Sequence, residues 1–246
     1  MKQLADDLLR LFGTRHRIGV GCARAGAAHD LWPEERQAMA RATPDRRAEF
    51  AGGRAAARAA LREIGLLPFA IPMAADRAPV WPRGVAGSIT HHDGACLAIA
   101  ARDQRLGGLG LDLEAHADLP GDLWPEILTG AEGDWLAAQA PGSRGLLVRM
   151  IFSAKEATYK ALYPVSGRVV GFDAMTIRPD PEAGRFTARL STGFGPYGAG
   201  RVLRGHVLRA GPHVLTALAL PRAGEYGQIA AAIPDMEMEC FPAQVL

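Results

Sequence analysis

Two acidic motifs contain the residue types best suited to phosphate chemistry. The first, GLGLDLE (residues 108–114), contains Asp112 and Glu114. Alternate side chains of a β-strand share a face, so both carboxylates should project together, about 7 Å apart, while Leu111 and Leu113 face the core. Such a pair forms half of a hard-cation site of the kind that Mg²⁺ uses when it bridges phosphates. The alternative for this motif alone is an exposed strand face with two solvated acids.

The second motif, FSAKEATYKAL (residues 152–162), is typical of a helix. Glu156 and Lys160 are four residues apart and therefore share a helix face, with Lys155 beside them. Glu156 would complete a magnesium shell with the two acids of the first motif, and Lys160 would lie near a leaving phosphate. The alternative is a simple stabilising Glu–Lys pair worth roughly 0.3 kcal/mol.

Lysine is scarce in this chain, which gives weight to the second motif. Only Lys2, Lys155 and Lys160 are lysines among 28 Lys and Arg residues, and the remaining 25 are arginine. A lysine retained in such a background is a candidate for chemistry that arginine cannot perform, such as giving up a proton.

Two further groups could bind phosphate. GSITHH (residues 87–92) presents Ser88, Thr90 and His91 before a turn, although a histidine is often only structural. Arg54 and Arg58 share one face of a predicted helix and Arg77 follows in a loop, which suits bidentate phosphate recognition. Solvent-exposed surface cations are the alternative for these arginines.

The surrounding pattern predicts the elements that position these residues. We expect helices at 3–12, 33–42, 44–65, 124–139 and 143–163. We expect strands at 16–26, within 87–114 around an Asp93-Gly94 turn, and in four runs between 169 and 220, with a loop at 66–86. Each half thus contains a long helix and several strands, which predicts two α+β lobes joined near residues 101–108. The last 25 residues have no clear pattern.

Composition indicates the class of protein. The net charge of +2 does not argue for a nucleic-acid partner, and no apolar run approaches the roughly 20 residues that span a membrane. Cys22, Cys96 and Cys240 have no disulfide or metal spacing, and the N-terminus places acids in an amphipathic helix rather than in a secretory signal. We therefore expect a cytoplasmic protein with reduced thiols.

Taken together and in this order, these segments resemble the Sfp-type 4′-phosphopantetheinyl transferases, especially the branch that includes the enterobactin-synthase activating enzyme. GLGLDLE is similar to that family's G-(I/L)-D-(I/L)-E signature, and FSAKEATYKAL to its F-(S/T)-x-K-E-(A/S)-x-(Y/F)-K-A signature. GSITHH and EFAGGRAAARAAL (49–61) match in place and order, and the similarity covers roughly residues 32–175.

The resemblance implies an α+β fold of two similar lobes, a pseudo-dimer, each with a long helix packed on a small, mainly antiparallel sheet. Residues 1–108 would form the N-terminal lobe on the nucleotide side of coenzyme A, and residues 109–246 the C-terminal lobe on the magnesium and catalytic side. Coenzyme A would bind in the cleft between the lobes of a monomer, with no membrane or nucleic-acid partner.

The resemblance also implies roles for individual residues. The proposed metal ligands are Asp112, Glu114 and Glu156. The proposed catalytic residues are Glu156, Lys160 and Lys155. The proposed contacts to the 3′-phosphoadenosine part of coenzyme A are Arg54, Arg58, Arg77, Ser88, Thr90 and His91.

The implied reaction transfers the phosphopantetheine arm of coenzyme A to a serine of an apo acyl or peptidyl carrier protein, releasing 3′,5′-adenosine diphosphate. Glu156, directly or through a bound water, would take the serine proton, and Lys160 would assist the departing phosphate. A magnesium-dependent phosphohydrolase and a non-catalytic coenzyme A or carrier-binding module are the competing readings. The pathway served, whether siderophore, polyketide or fatty-acid synthesis, stays open.

Overall fold

The computed structural model describes residues 2–12, 17–26 and 30–223. Cys240 and most of the C-terminal segment without a sequence pattern lie outside the described residues, as does the first residue of the predicted strand 16–26. The helices are α1 (Lys2–Phe12), α2 (Pro33–Arg36), α3 (Pro44–Glu63), α4 (Trp124–Ile127), α5 (Gly130–Ala137) and α6 (Arg144–Ser166). The strands are β1 (Ile18–Arg24), β2 (Ala86–His92), β3 (Ala95–Ala101), β4 (Leu106–Ala115), β5 (Met175–Asp180), β6 (Arg185–Leu190), β7 (Val202–Ala210) and β8 (His213–Pro221).

The strands form two antiparallel sheets, which confirms the predicted α+β fold class. The first sheet has the order β1-β3-β2 and the second the order β4-β8-β7-β6-β5. Helix α3 packs on β1 and β3, and helix α6 packs on β4 and β8. The order β1-β3-β2 has a counterpart in β4-β8-β7, and on this basis we propose that the two lobes are a pseudo-dimer.

The two long helices begin and end at residues suited to those positions. Thr43 caps α3 by accepting a hydrogen bond from the Arg46 amide, and Pro44 occupies the first helical position. Gly65, with φ of 79°, follows the end of α3, and Gly167, with φ of 60°, ends α6 in the left-handed conformation. The predicted boundaries of both helices are therefore close to the observed ones.

Each lobe brings its first strand unusually close to its long helix. A Cβ placed on Gly21 of β1 would lie 1.9 Å from the Ala56 carbonyl oxygen of α3, and one on Gly110 of β4 would lie 1.8 Å from the Ala157 oxygen of α6. Only glycine permits this contact between backbones. The same contact recurs one turn along each helix, at Gly19 and at Gly108.

Two predicted helices differ from the structure. Helix α2 stops at Arg36 and continues as a 3₁₀ turn to Met39, rather than extending to residue 42. The predicted helix 124–139 is instead two short helices, α4 and α5, because Thr129 caps the start of α5. The Thr129 side chain accepts a hydrogen bond from the Glu132 amide, and the Glu132 side chain accepts one from the Thr129 amide. Leu128 between them has an extended ψ of 133°.

One apolar cluster joins the two lobes. It contains Leu97 and Ile99 from the first sheet together with Leu111 and Leu113 from the second. The predicted boundary between residues 108 and 109 falls inside β4 and stays a prediction. None of the helices in the described ranges is both long and apolar enough to cross a membrane.

Candidate active site

The first acidic motif lies on β4, at the junction between the lobes. Leu111 and Leu113 are buried in the shared apolar cluster, and the alternation of the strand turns Asp112 and Glu114 to the opposite face. Ser88 Oγ and Thr90 Oγ1 on β2 accept hydrogen bonds from the Leu111 and Leu113 amides, at 3.1 and 3.2 Å. Side chains of β2 therefore satisfy the outer edge of β4 and fix the acids relative to the N-terminal lobe.

Asp112 is nearly buried, with 4% of its surface exposed, and three side chains hold its carboxylate. Lys160 Nζ lies 2.6 Å from Asp112 Oδ1, and Ser153 Oγ donates to Asp112 Oδ2 at 2.9 Å. Thr90 Oγ1 adds a longer hydrogen bond of 3.3 Å to Asp112 Oδ1. Strand β4, helix α6 and strand β2 thus meet at this one carboxylate.

Glu114 is held by Arg149, which lies in the first part of α6. Arg149 Nη1 is 3.0 Å from Glu114 Oε2, and the same guanidinium donates to the Ala117 and Asp118 carbonyl oxygens. Burial raises the pKa of Glu114, and so does the charge of Asp112, while Arg149 opposes the change. The two acids of the motif are therefore electrostatically coupled.

Glu156 is half-buried on the face of α6 that looks toward these acids. Within the described part of the chain, its carboxylate forms no hydrogen bond or ion pair. Burial raises the pKa of Glu156, Lys160 lowers it, and the charges of Asp112 and Glu114 raise it further. An ionised Glu156 is thus a carboxylate near two others without a direct partner, which is how a metal ligand or a proton acceptor would be presented.

The three carboxylates fit a divalent cation in their chemistry. Hard oxygen donors are what Mg²⁺ prefers, and Asp112 raises the pKa of both glutamates, as closely placed like charges do. Among the residues that the structure describes, however, no three His, Cys, Asp or Glu side chains already form a group that could hold a metal ion. Lys160 and Arg149 occupy two of the acids, so binding a cation would require these acids to exchange partners.

His91 lies across the cleft, at the end of β2. Its Nε2 is 3.0 Å from Arg46 Nη1 on α3, and its Nδ1 is 3.9 Å from a Glu49 carboxylate oxygen. Burial lowers the pKa of His91, and the charges of Arg46 and Lys160 lower it further against the opposing effects of Glu49 and Asp112. Charged groups of both lobes therefore influence the pKa of His91, and in the neutral imidazole Nε2 can accept a hydrogen bond from Arg46.

The three predicted arginines have different surroundings. Arg54 is 6% exposed, its guanidinium stacks 3.8 Å from the centre of the Phe50 ring, and burial lowers its pKa to about 10. Its Nε donates to the Ile71 carbonyl oxygen, whereas its buried Nη2 has no hydrogen-bond partner in the described residues. Arg77 is exposed on a turn with φ of 71°. Both can thus offer donors to a ligand.

Arg58 is instead occupied within its own lobe. Its Nη1 bonds both carboxylate oxygens of Glu35, at 2.8 and 3.0 Å, and its Nη2 bonds the Asp30 carbonyl oxygen. Glu35 also accepts from the amides of Trp32 and Ile71. Arg58 is therefore engaged inside its own lobe, and its contact with coenzyme A stays a prediction.

Lys155 has the corresponding structural role in the other lobe. It is 1% exposed, and its Nζ donates to Glu132 at 2.7 Å and to the Ile127 and Phe172 carbonyl oxygens. Glu132 also accepts from the amides of Thr129 and Ile177, as Glu35 does from Trp32 and Ile71. All three donor positions of the Lys155 ammonium are used in the interior, away from the acids, and its catalytic role stays a prediction.

Ser88 is 3% exposed, and its hydroxyl oxygen accepts the bond from the Leu111 amide that links β2 to β4. Its contact with coenzyme A stays a prediction. Thr90 shares that linking role but also touches Asp112, and stays part of the site.

Sequence reasoning missed Arg46, Arg149 and Ser153. Arg46 contacts His91, Arg149 holds Glu114, and Ser153 holds Asp112. Ser153 stands inside the second motif, three residues before Glu156, where helical spacing could have placed it near the acids. Nothing in the sequence distinguishes Arg46 and Arg149 from the other arginines among the 25 in the chain.

A cavity of about 530 Å³ lies at the other end of the junction, lined by Trp81, Leu109, Pro164 and Tyr197 among others. None of the predicted site residues lines it. The candidate site at the acids, where the charges are coupled, is therefore separate from this cavity.

Comparison with known proteins identifies the family of the chain. Residues 34–101 match the family model of the 4′-phosphopantetheinyl transferase N-terminal domain, and residues 108–209 match that of the 4′-phosphopantetheinyl transferase superfamily. The chain is 42% identical to 4′-phosphopantetheinyl transferase Svp of Streptomyces mobaraensis over 71% of each chain. It is 41% identical to 4′-phosphopantetheinyl transferase Npt of Nocardia iowensis, over 62% of this chain and 68% of that protein.

A third relative extends the match along the chain. Enterobactin synthase component D of Salmonella typhi is 32% identical over 82% of this chain and 85% of that protein. These findings confirm the resemblance on which the sequence analysis relied and the class of enzyme that it implied. The chain belongs to the 4′-phosphopantetheinyl transferase superfamily and is a phosphopantetheinyl transferase.

Proposed function

We propose that the enzyme uses Mg²⁺ to transfer the 4′-phosphopantetheine arm of coenzyme A to a serine of an apo acyl or peptidyl carrier protein, releasing 3′,5′-adenosine diphosphate. The observation that carries this proposal is that Asp112 pairs with Lys160 while its charge raises the pKa of both Glu114 and Glu156. Three acids and one lysine match the needs of a pyrophosphate: ligands for a cation and a donor for the leaving group.

The nucleotide end of coenzyme A would bind on the N-terminal lobe. Arg54 has a buried donor without a protein partner, Arg77 is exposed, and His91 stands between Arg46 and the acids. An arginine cluster with an imidazole suits a 3′-phosphate, which accepts several charge-assisted hydrogen bonds. Thr90 would contribute by holding Asp112 beside His91.

The chemistry then follows from the protein's own groups. Asp112, Glu114 and Glu156 would hold magnesium, which supplies charge neutralisation at the phosphoryl oxygens. The carrier serine oxygen forms a bond to the β-phosphorus of coenzyme A, and the pyrophosphate P–O bond to the nucleotide breaks. Glu156, whose carboxylate has no direct partner in the described residues, accepts the serine proton directly or through a water. Lys160 stabilises or protonates the departing phosphate.

Other features complete the proposal. We assign the nucleotide to the N-terminal lobe and catalysis to the C-terminal lobe of a monomer acting in the cytoplasm. Four matched proteins besides the Salmonella typhi relative are also named enterobactin synthase component D, which supports a siderophore pathway, while polyketide and fatty-acid synthesis stay open.

One experiment separates this function from its competitors. The protein is incubated with coenzyme A, Mg²⁺ and a panel of apo carrier proteins, and the mass of each carrier is measured by mass spectrometry. We expect one carrier class to gain the mass of a phosphopantetheine arm, with 3′,5′-adenosine diphosphate in the supernatant. Hydrolysis of coenzyme A without carrier modification would indicate a phosphohydrolase, and binding without turnover would indicate a binding module.

A further inference from the structure

A side-chain hydrogen bond links the loop between α3 and β2 to α6. The Tyr163 hydroxyl, near the end of α6, donates a hydrogen bond to Asp76 Oδ2 at 2.5 Å. The two residues are 87 positions apart and belong to different lobes. This contact therefore connects the N-terminal loop with the helix that carries Glu156 and Lys160.

Asp76 also shapes the turn that carries Arg77. Its second oxygen, Oδ1, accepts from the Ala78 amide at 3.0 Å, and the Ala74 carbonyl oxygen accepts from the Arg77 amide at 2.9 Å. Arg77 adopts φ of 71°, in the left-handed region that residues other than glycine enter only at a cost. The surrounding bonds must therefore maintain this conformation.

Both oxygens of Asp76 are engaged, and this affects its neighbour Arg77. In the described residues the Arg77 guanidinium makes no ion pair or hydrogen bond, although it is adjacent in sequence to a carboxylate. The bond with Tyr163 lowers the pKa of Asp76 and raises that of Tyr163 to about 12, so the pair keeps its protonation across the neutral range. Losing the Tyr163 hydroxyl would free Oδ2 to attract Arg77.

Tyr163 is also well placed along its helix. Glu156, Lys160 and Tyr163 are spaced four and three residues apart, so they share one face of α6. The tyrosine therefore joins the turn of Arg77 to the face that carries the groups assigned to the phosphate.

We propose that Tyr163 is a positioning residue for nucleotide recognition, which through Asp76 fixes the turn that presents Arg77 to the cleft. The inference rests on the proposed function, in which coenzyme A is the donor and Arg77 contacts its nucleotide. It concerns only how this chain holds that arginine.

The test removes one hydroxyl. Tyr163→Phe keeps the ring, which packs 5.5 Å from the Tyr159 ring, and deletes the donor to Asp76. We expect KM for coenzyme A in carrier modification to rise roughly fivefold, the scale of one hydrogen bond, with kcat within about twofold of wild type. Tyr159→Phe, which removes a neighbouring hydroxyl with no hydrogen bond in the described residues, is the matched control and should leave both constants unchanged.

A double variant tests whether the effect passes through Arg77. Adding Tyr163→Phe to Arg77→Ala should change KM by less than about 1.5-fold, because the group that it positions is already absent. An unchanged KM in Tyr163→Phe, or the same fold-change in both backgrounds, would show that the contact does not position Arg77. A wild-type protein that cannot use coenzyme A would overturn the proposed function itself, and this inference with it.

Discussion

Lys160 is the charge partner of Asp112, with Nζ 2.6 Å from Oδ1 and a second contact of 3.3 Å to the Leu111 carbonyl oxygen. The two residues come from the two different sequence motifs, 48 positions apart. In the proposed reaction Asp112 turns to the cation and Lys160 to the leaving phosphate. The pair thus holds both motifs in register before any substrate binds.

The first prediction concerns the metal. Alanine at Asp112, Glu114 or Glu156 should abolish transfer and weaken Mg²⁺ binding, and double variants should lose little more than single ones because one ion holds the set together. Transfer assays and calorimetric titration with Mg²⁺ and coenzyme A measure both effects. Glu182→Ala, at an exposed turn between β5 and β6, is the control and should behave as wild type. An Asp112→Ala protein with near wild-type activity would rule the assignment out.

The second prediction concerns proton donation by Lys160. Arginine keeps the positive charge but does not give up a proton at neutral pH, and its planar group is larger than an ammonium. We therefore expect Lys160→Arg to lose roughly a hundredfold or more in single-turnover transfer, close to Lys160→Ala, while its affinity for coenzyme A falls much less. If Lys160→Arg turns over within a few-fold of wild type, the lysine acts only as a positive charge.

The third prediction concerns Arg46 and His91. The charge of Arg46 lowers the pKa of His91, so Arg46→Ala should raise that pKa, measured by NMR titration of the imidazole. The same variant, like Arg54→Ala, should raise KM for coenzyme A more than KM for 3′-dephospho-coenzyme A, which lacks the 3′-phosphate. Equal losses on the two substrates would mean that these arginines support only the fold.

The fourth prediction tests the structural role of Lys155. Lys155→Met leaves Glu132 buried without its charge partner, which typically costs about 3–5 kcal/mol of unfolding free energy. Urea unfolding should show this loss. Changing Glu132→Gln in the Lys155→Met background should recover part of it, since the buried charge is then gone. A Lys155→Met protein of wild-type stability but no activity would instead support the predicted catalytic role of Lys155.

The fifth prediction concerns pH and stability in metal-free protein. Burial raises the pKa of Glu156 above its unfolded value, so this group favours the folded state at low pH, and that contribution is lost as pH rises through the folded pKa. Glu156→Gln should therefore melt at a higher temperature than wild type at pH 7, although it is inactive. The difference should shrink as the pH falls and wild-type Glu156 becomes protonated. A Glu156→Gln protein that melts lower at pH 7 would contradict the effect.

Helices and strands could be predicted where the hydrophobic periodicity is bounded by residues typical of helix ends and turns. Thr43-Pro44 and Gly65 bracket α3, and the Asp93-Gly94 turn separates β2 from β3, so their positions followed from local chemistry. The break between α4 and α5 also has a local sequence signal, the capping box formed by Thr129 and Glu132. The prediction missed this signal, because the apolar pattern on both sides of it indicates one continuous helix.

The acids and the lysine of the candidate site are the residues whose relative placement follows from sequence spacing. The spacing of Asp112 with Glu114, and of Glu156 with Lys160, reports which residues share a face. It does not report that Lys155 faces the interior, because that depends on Glu132, 23 positions earlier in the chain. The contacts of Arg58 and Ser88 could not be predicted for the same reason: their partners, Glu35 and the Leu111 amide, are distant in sequence.

The close approach of Gly110 to the Ala157 carbonyl oxygen has a consequence for how this enzyme can change during evolution. Gly110 stands two residues before Asp112, and Ala157 directly follows Glu156. The separation of the two acids is thus limited by main chain against main chain, which has no side-chain volume to vary. Alanine at Gly110 should therefore push β4 away from α6 and separate the acids, and alanine at Gly108, which lies against the Ala161 carbonyl oxygen in the same way, should do likewise. The geometry of the candidate site thus depends on two glycines that carry no functional group of their own.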